Sequence, residues 1–430
     1  MAGERLAADG RLVFTERKMI YRMFCRLFQA VMKAVMYALP WHTPDVLEGD
    51  EALKRMVDDI ENQGINKVMV VMGPSMMKRG LPQSMLDIMS RRAIQYVIFD
   101  KLTSDPTDEQ VESGARRYRE AGCQGMVLFG GGSPMDCGKA IAARIARPGK
   151  SVKQLQGALK VRHRKDVPLM WAVPTTAGTG SETTMSAVIS DSVTHRKKSI
   201  NDPSIIPHVC VLDPALTVGL SPEMTAYTGM DALCHAVEAY INKTYNTERE
   251  DKMAKDAVKL IHDNLIKVYH NGGDVDGRRK MQLAAFFAGR AFTRGCVGYV
   301  HAIGHGIGGL YGFPHGKVMA VLLPYVLEAY GSYAEERLAE LADACGIMAG
   351  ERAAEAVSDR EKAIAFINWI RSVDRQLTIP EKLRCIKAED VPTIARWAAE
   401  EANPLYPVPK ILGREELEKL IIQIAGSPEK

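Results

Sequence analysis

Several features that would place the chain in a special class are missing from its sequence. The eight cysteines never form a C-x-x-C pair, so the sequence offers neither a thiolate zinc knuckle nor a dithiol redox motif. The formal net charge is only +4, and mixed basic and acidic residues argue against a nucleic-acid-binding surface. With 46% hydrophobic residues, an ordinary globular chain is predicted. The dispersed cysteines favour a reducing compartment, and we expect the protein to be cytoplasmic.

A membrane-spanning run is also missing, although residues 19–40 are apolar enough to require a check. Arg22, Arg26 and Lys33 interrupt this stretch, so no part of it reaches the roughly 20 apolar residues that cross a bilayer. The pattern predicts an amphipathic helix that stops at Pro40 and packs on the protein or on another subunit. Attachment to a membrane surface is the alternative, because basic amphipathic helices can lie on anionic lipid.

The length of 430 residues suffices for two or three domains. Between residues 66 and 212, short β-branched runs alternate with amphipathic segments, which predicts a parallel sheet with helices on both faces. The predicted strands are 67–72, 95–99, 125–129, 169–173 and 209–212. From residue 221 onward helical periodicity dominates and no strand is predicted. The predicted division is a helical extension at 1–44, an α/β domain at 45–215 and an all-helical domain at 216–430.

Two small-residue segments follow predicted strands in the α/β region. Residues 130–133 read Gly-Gly-Gly-Ser and open a predicted helix. Glycines let the backbone approach a ligand closely, and the N–H groups of a helix start favour an anion such as pyrophosphate. In the second segment, Thr175, Thr176 and Thr179 offer hydroxyl groups to a nucleotide. Each segment alone is equally typical of a polar turn with nothing bound.

Histidines are concentrated in the helical region. Asp231 and His235 are four residues apart, which places both on one face of a helix. His301, His305 and His315 follow. Each pair alone is weak evidence of a metal site. One carboxylate and several imidazoles together, however, suit Fe²⁺, Zn²⁺ or another borderline divalent ion.

A stretch at 304–309 matches the spelling G-x-G-x-x-G but not its required context. The dinucleotide fingerprint has a strand before it and a helix after it. Because no strand is predicted before residue 304, we interpret these glycines as room for close packing beside the histidines.

Five motifs in order resemble the iron-containing (group III) alcohol dehydrogenase family. They are Gly-Gly-Gly-Ser at 130–133, Pro-Thr-Thr-Ala-Gly-Thr-Gly-Ser-Glu at 174–182, Gly-Met-Asp-Ala-Leu-Cys-His at 229–235, Val-His-Ala-Ile-Gly-His at 300–305 and Pro-His-Gly at 314–316. The similarity covers roughly residues 45–425. It implies an α/β, Rossmann-like nucleotide-binding domain followed by an all-α metal-binding domain. The implied activity is a metal-dependent, NAD(P)-linked alcohol dehydrogenase or aldehyde reductase.

The resemblance also implies roles for individual residues. The residues that match the family's metal ligands are Asp231, His235, His301 and His315. His305 matches a second histidine beside the metal, with a role in proton relay or positioning. The positions on the cofactor side are Gly73, Ser75, Asp105, Gly131, Gly132, Ser133, Asp136, Thr175, Thr176, Thr179, Ser186, Lys197 and Leu216.

Departures from the family pattern bear on the choice between NAD(H) and NADP(H). Many NAD-preferring members carry an acidic residue after the first strand, where this chain has Gly73 and Ser75. A carboxylate there would repel a 2′-phosphate, whereas this chain supplies a hydroxyl group and then Lys78 and Arg79. We therefore expect NADP(H) to be accepted and slightly preferred. Asp105 stands where an Asn is common in the family.

Fe²⁺ is the metal that the resemblance favours, with Zn²⁺ as the alternative, because divalent affinity generally rises toward the later metals. The nearest rival functions are a zinc-dependent polyol (glycerol-type) dehydrogenase and a metal-dependent lyase on the same fold. The third histidine separates this chain from the zinc pattern of one carboxylate and two histidines. A catalytically inactive membrane-surface or scaffold protein is the alternative of another class. We expect a small-molecule alcohol or aldehyde substrate, no nucleic-acid partner, no membrane contact and a homodimer or larger homo-oligomer.

Overall fold

The computed structural model describes residues 2–193, 196–348 and 357–426, with side chains from residue 18 onward. The chain divides into two compact units. The first, here called the helical unit, contains Met1–Leu39, Val237–Lys252 and Arg294–Lys430, and the second, the sheet unit, contains Pro40–Ala236 and Met253–Thr293. The functional division predicted at residue 215 stays a prediction, since by compactness residues 216–236 and 253–293 belong with the sheet.

A six-stranded parallel sheet forms the centre of the sheet unit. The strands of the chain are β1 (Asp45–Glu48), β2 (Lys67–Met72), β3 (Gln95–Phe99), β4 (Gly125–Gly130), β5 (Gly157–Ala158), β6 (Leu169–Pro174), β7 (Ser186–Ser190), β8 (Lys197–Asn201) and β9 (Val209–Leu212). The order in the large sheet is β1-β9-β6-β4-β2-β3. All its pairings are parallel, which confirms the predicted α/β architecture.

Alternation along the strands explains why helices cover both faces of this sheet. In β2, Met69 and Val71 enter one hydrophobic core, and Val68 and Val70 enter the other. Side chains of successive strand residues point to opposite faces, so an unbroken apolar run requires cover on both sides. This is the physical basis on which the short apolar runs were predicted as buried parallel strands.

A second, three-stranded sheet of order β5-β8-β7 was not predicted. β7 and β8 pair antiparallel, and β5 contributes two residues. The sequence of β8, Lys-Lys-Ser-Ile-Asn, contains a single apolar residue, Ile200, which is fully buried. With so little hydrophobic periodicity, such a strand carries no local pattern that identifies it.

The remaining regular structure of the described chain consists of helices. They are α1 (Ala2–Ala38), α2 (Ala52–Asn62), α3 (Ser75–Lys78), α4 (Gln83–Arg91), α5 (Asp108–Glu120), α6 (Gly132–Ala146), α7 (Val152–Leu155), α8 (Pro222–Ile241), α9 (Glu248–His270), α10 (Val275–Gly295), α11 (Tyr299–Tyr311), α12 (His315–Tyr330), α13 (Glu335–Cys345), α14 (Asp359–Gln376), α15 (Val391–Ala402) and α16 (Arg414–Ala425). The glycines at 304–309 lie inside α11, as their context indicated. Within the described residues, no helix is long and apolar enough to cross a membrane.

Asp374, on α14, is a buried acid whose titration should couple to folding. Burial raises its pKa to about 8, and its Oδ1 atom has no hydrogen-bond partner among the described residues. Between about pH 4 and pH 8 the folded chain therefore holds a proton that the unfolded chain releases, so stability falls as pH rises through this range.

The substitution Asp374→Asn removes this titration. The wild type loses stability between about pH 5 and pH 8, whereas the variant does not. We therefore expect the free energy of unfolding of the variant, relative to that of the wild type, to increase by on the order of 3 kcal/mol over this range. Urea unfolding at the two pH values measures the gain. Asp359→Asn, an exposed acid on the same helix, is the control and should show no such trend. An equal difference at both pH values would contradict the assignment.

Candidate functional site

The glycine and threonine segments lie at one edge of the large sheet. β4 pairs with β2 on one side and with β6 on the other, all parallel. Gly73, Gly131 and Thr175 each follow directly after one of these strands. The carboxyl ends of parallel strands are where open α/β sheets bind ligands. The structure thus brings these three residues, all predicted to lie on the cofactor side, to the same edge of the sheet.

Close packing joins residues 130–133, here called the glycine loop, to residues 174–182, here called the threonine loop. Gly130 has a φ of +144°, a conformation that side chains rarely adopt. A Cβ atom on Gly131 would lie 3.2 Å from Oγ1 of Thr176, and one on Gly132 would lie 3.0 Å from Cγ2 of Thr179. α6 starts here without a side-chain cap. Its first N–H groups are therefore available to an anion.

Asp136, predicted to belong to the pyrophosphate loop, makes internal bonds in the structure. Its Oδ1 accepts from Oγ of Ser181 at 2.6 Å, and its Oδ2 accepts from the backbone N–H of Val188 at 3.0 Å. The buried Lys139 Nζ lies 3.3 Å from Asp136 and donates to the carbonyl oxygen of Ser181 at 2.9 Å. Both side chains therefore support the threonine loop. Lys139 was missed because the residues to which it donates, Ser181 and Thr184, follow it by more than 40 residues in the chain.

The remaining cofactor-side residues fall into different environments. Lys197 Nζ contacts Oδ1 of Asp105 at 2.6 Å, so these two are brought together. Ser133 donates to the carbonyl oxygen of Ser104. Ser75 is exposed at the start of α3, and Ser186 opens β7. Leu216 belongs to the buried core on one face of the sheet.

Three of the histidines cluster within the helical unit. His301 and His305 lie one turn apart on α11, and His315 is the first residue of α12. The ring centroids of His301 and His315 are 5.6 Å apart, and those of His305 and His315 are 5.5 Å apart and stacked. Two consecutive helices thus direct three imidazoles to one place.

Asp231 and His235 share α8, one turn apart, as the spacing predicted. Both are buried. The ring of His235 stacks on Phe292 with a centroid distance of 4.2 Å. The candidate ligand atoms of Asp231, His301 and His315 all lie within 4.8 Å of one another, whereas His235 is not in this group. A carboxylate and two imidazoles at that spacing fit a single borderline divalent ion.

Glu238, further along α8, orients His301 and was not predicted. Its Oε2 lies 2.5 Å from Nδ1 of His301, and its Oε1 accepts from the backbone N–H of Val300 at 2.8 Å. Burial raises the pKa of Glu238 and lowers the pKa of His301, because each charged form loses its hydration. The imidazole therefore stays neutral, the form that coordinates metals, with Nδ1–H directed to the carboxylate. A signal was available: Glu238 is an acid seven residues after Asp231, on the same helix face.

Glu401, near the end of α15, makes the equivalent contact to His305. Its Oε1 lies 2.8 Å from Nδ1 of His305 and accepts from the hydroxyl group of Tyr406 at 3.1 Å. A hydrogen bond at Nδ1 leaves Nε2 as the ring atom available for proton transfer. Nothing local in the sequence indicates this contact, because the two residues are 96 positions apart.

Comparison with known proteins extends these observations. Residues 43–214 match the model of the iron-containing alcohol dehydrogenase family, and residues 225–425 match the model of its C-terminal domain. The NAD-dependent methanol dehydrogenase of Bacillus methanolicus is 35% identical over 364 residues, covering 83% of this chain and 92% of that protein. The NADPH-dependent butanol dehydrogenase of Clostridium saccharobutylicum is 32% identical, covering 77% of this chain and 83% of that protein. A crystal structure of 1,3-propanediol oxidoreductase has a TM-score of 0.83 and 32% identity, covering 90% of this chain and 99% of that one.

A parallel sheet with a glycine loop at its edge, together with an Asp/His cluster in helices, defines a protein suited to bind a nucleotide and a divalent metal ion. The chain belongs to the iron-containing alcohol dehydrogenase family. The predicted family, the predicted fold class and the predicted activity of a metal-dependent alcohol dehydrogenase that uses a nicotinamide cofactor are confirmed at this level.

Proposed function

We propose that Asp231, His235, His301 and His315 hold the metal. The observation that carries this assignment is the 4.8 Å grouping of the ligand atoms of Asp231, His301 and His315. His235 is included as a fourth ligand because it lies one turn after Asp231 on the same helix. A bound divalent ion supplies Lewis-acid polarisation of the substrate oxygen. Of the two metals, Fe²⁺ is proposed over Zn²⁺ because the family models are of iron-containing enzymes.

The nicotinamide dinucleotide is proposed to bind at the carboxyl edge of the sheet, with residues 45–215 as the cofactor domain and 216–430 as the metal domain. The N–H groups at the start of α6 hold the pyrophosphate, and the threonine loop packed against them orients the nucleotide. The further contacts are those of Gly73, Ser75, Asp105, Gly131, Gly132, Ser133, Asp136, Thr175, Thr176, Thr179, Ser186, Lys197 and Leu216. The cofactor supplies the hydride chemistry.

His305 is proposed to hold and move the hydroxyl proton of the substrate. Its Nδ1 is engaged by Glu401, which keeps Nε2 as the exchanging atom. The hydroxyl group of Tyr406 bonds to the same carboxylate oxygen and holds it in place. The three side chains thus form one chain of hydrogen bonds that ends at the imidazole of His305.

NADP(H) is the proposed preferred cofactor, which favours aldehyde reduction as the working direction. Residues 73–82, which follow β2, contain no acid, and they include the exposed Lys78. A carboxylate there would repel a 2′-phosphate, whereas Lys78 attracts it. The relatives named above include both an NAD-dependent and an NADPH-dependent enzyme, so the family alone does not decide the preference.

Steady-state kinetics with both cofactors test this proposal. We expect kcat/KM for NADPH to exceed that for NADH, and Lys78→Ala to lower the NADPH value about tenfold with little change for NADH, since one charge–phosphate contact contributes about 1–2 kcal/mol. Lys419→Ala, an exposed lysine on α16, is the control. A higher kcat/KM for NADH in the wild type would exclude the preference.

The substrate class is proposed to be short alcohols, diols and their aldehydes, as the names of the relatives suggest. An alcohol and aldehyde panel on protein loaded with Fe²⁺ or Zn²⁺ tests this together with the metal. Activity with polyols restricted to the Zn²⁺ form would favour the glycerol-type alternative. A homo-oligomer in the reducing cytoplasm completes the proposal, and the eight cysteines form no disulfide bond within the described part of the chain, which is typical of a reducing compartment.

Glu238 is expected to strengthen metal binding through His301. In Glu238→Gln an amide replaces the carboxyl group that accepts from Nδ1–H of His301, so the imidazole loses its fixed orientation. We expect metal affinity to fall about 10- to 100-fold, measured by competition with a chelator. Glu248→Gln, at the exposed start of α9, serves as the control. Unchanged affinity would show that the contact is only structural.

A further inference from the structure

The N-terminal helix α1 faces the helical unit with its polar side. The bonds that its polar side makes to this unit include Lys18 to Glu415 at 2.9 Å, Arg22 to Glu416 at 2.9 Å, Arg26 to the carbonyl oxygens of Val408 and Pro409 at 2.9 and 2.7 Å, and Gln29 to the carbonyl oxygens of Pro404 and Tyr406 at 3.0 and 2.8 Å. Cys25 and Met36 are buried on the same side. An amphipathic helix on a protein surface normally buries its apolar side. Here the polar side is occupied by the chain itself.

The opposite side of α1 is apolar and exposed. Its large side chains are more than half exposed: Met19, Ile20, Met23, Phe24, Leu27 and Val31. Ala34 and Ala38 continue this surface toward the end of the helix. No charged residue interrupts it between residues 19 and 38, because Arg22, Arg26 and Lys33 lie on the other side. We call these eight residues the outer face of α1.

The spacing within the outer face is that of a helix-packing seam. Positions 20, 24, 27, 31, 34 and 38 are separated by four and three residues in strict alternation. This is the a/d pattern with which one helix packs its side chains between those of another. A disordered lipid surface requires an apolar side but no such period.

We propose that the outer face of α1 binds the same face of a second copy of this chain, so that the protein associates through paired N-terminal helices. Six large side chains with about 100 Å² exposed apiece, plus the two alanines, give on the order of 700 Å². This is close to the roughly 800 Å² that each partner contributes to a standard interface, and it exceeds the apolar patch that most monomers expose.

Charge favours a second copy over an anionic membrane. The outer face is uncharged, so two copies meet without repulsion. Lys18, Arg22 and Arg26, which anionic lipid would need, contact the chain's own carboxylates and carbonyl groups. The helix also lies before residue 43, where the family match begins. This association is therefore an addition to the family fold and does not depend on the proposed function.

Sedimentation velocity of the full chain over a wide concentration range tests the proposal. Leu27→Glu/Val31→Glu should halve the mass of the assembly while alcohol dehydrogenase activity and helix content stay at the wild-type level. Ile364→Glu/Val275→Glu, which changes two exposed apolar residues on other helices, is the matched control and should leave the mass unchanged. An unaltered mass in the α1 variant, or a wild type that is monomeric throughout, would overturn the proposal.

Cross-linking and lipid binding provide independent readouts. Val31→Cys in a Cys385→Ser background, which removes an exposed thiol, should give a disulfide-linked dimer on mild oxidation. Failure to cross-link counts against paired helices even if the double variant does not fold. Wild-type binding to phosphatidylserine vesicles that the double variant loses, with no change in mass, would assign the outer face to lipid and overturn the proposal.

Discussion

Replacing His301 by Ala is expected to remove the metal and with it the activity. His301 is buried, lies among the grouped ligand atoms and is oriented by Glu238. Its loss removes one imidazole and leaves the Glu238 carboxylate facing a cavity. Because Lewis-acid stabilisation is worth several kcal/mol, we expect kcat/KM to fall by at least about 10³-fold.

Elemental analysis after dialysis against a weak chelator measures the metal in this variant. His270→Ala, an exposed histidine at the end of α9, is the matched control and should keep wild-type metal and activity. Circular dichroism separates loss of metal from loss of fold. Stoichiometric metal in a folded His301→Ala protein would show that His301 is not a ligand.

The substitution His305→Ala is expected to lower turnover while the metal stays bound. Removing a group that transfers a proton in the rate-determining step costs about 10²–10⁴ in kcat. The bond of His305 to Glu401 places it in a different network from His301, so metal content should match the wild type. The experiment combines kcat, metal analysis and the solvent isotope effect.

Two related variants sharpen this test. Glu401→Gln keeps the imidazole but weakens its anchor, so we expect a smaller loss of kcat, about tenfold, by analogy with other partners that orient a functional histidine. Tyr406→Phe removes one bond to the same carboxylate and should have a smaller effect still. Loss of metal in His305→Ala would instead identify His305 as a ligand.

Five of the six strands of the large sheet were predictable because their information is local, whereas β1 was not predicted. A short β-branched run indicates a strand wherever it occurs, and β2, β3 and β9 begin and end where predicted. The small sheet was not predicted because β8 is rich in lysine and serine and is held in place by its partner strands β5 and β7. The sequence analysis identified the histidine motif of α11 but did not predict the bounds of the helix, since its glycines weaken helical periodicity.

By itself, the sequence determined the strand–helix order, the Asp231/His235 pair and the residue types able to hold a metal and a dinucleotide. These follow from spacing along the chain, which helix and strand geometry converts directly into position. Tertiary structure alone decided that Glu238 holds His301, that Glu401 holds His305 and that Lys139 supports the threonine loop. It also decided that α1 turns its apolar side outward. The physical reason is that a buried polar group must find its partner in space, and that partner can lie anywhere in the chain.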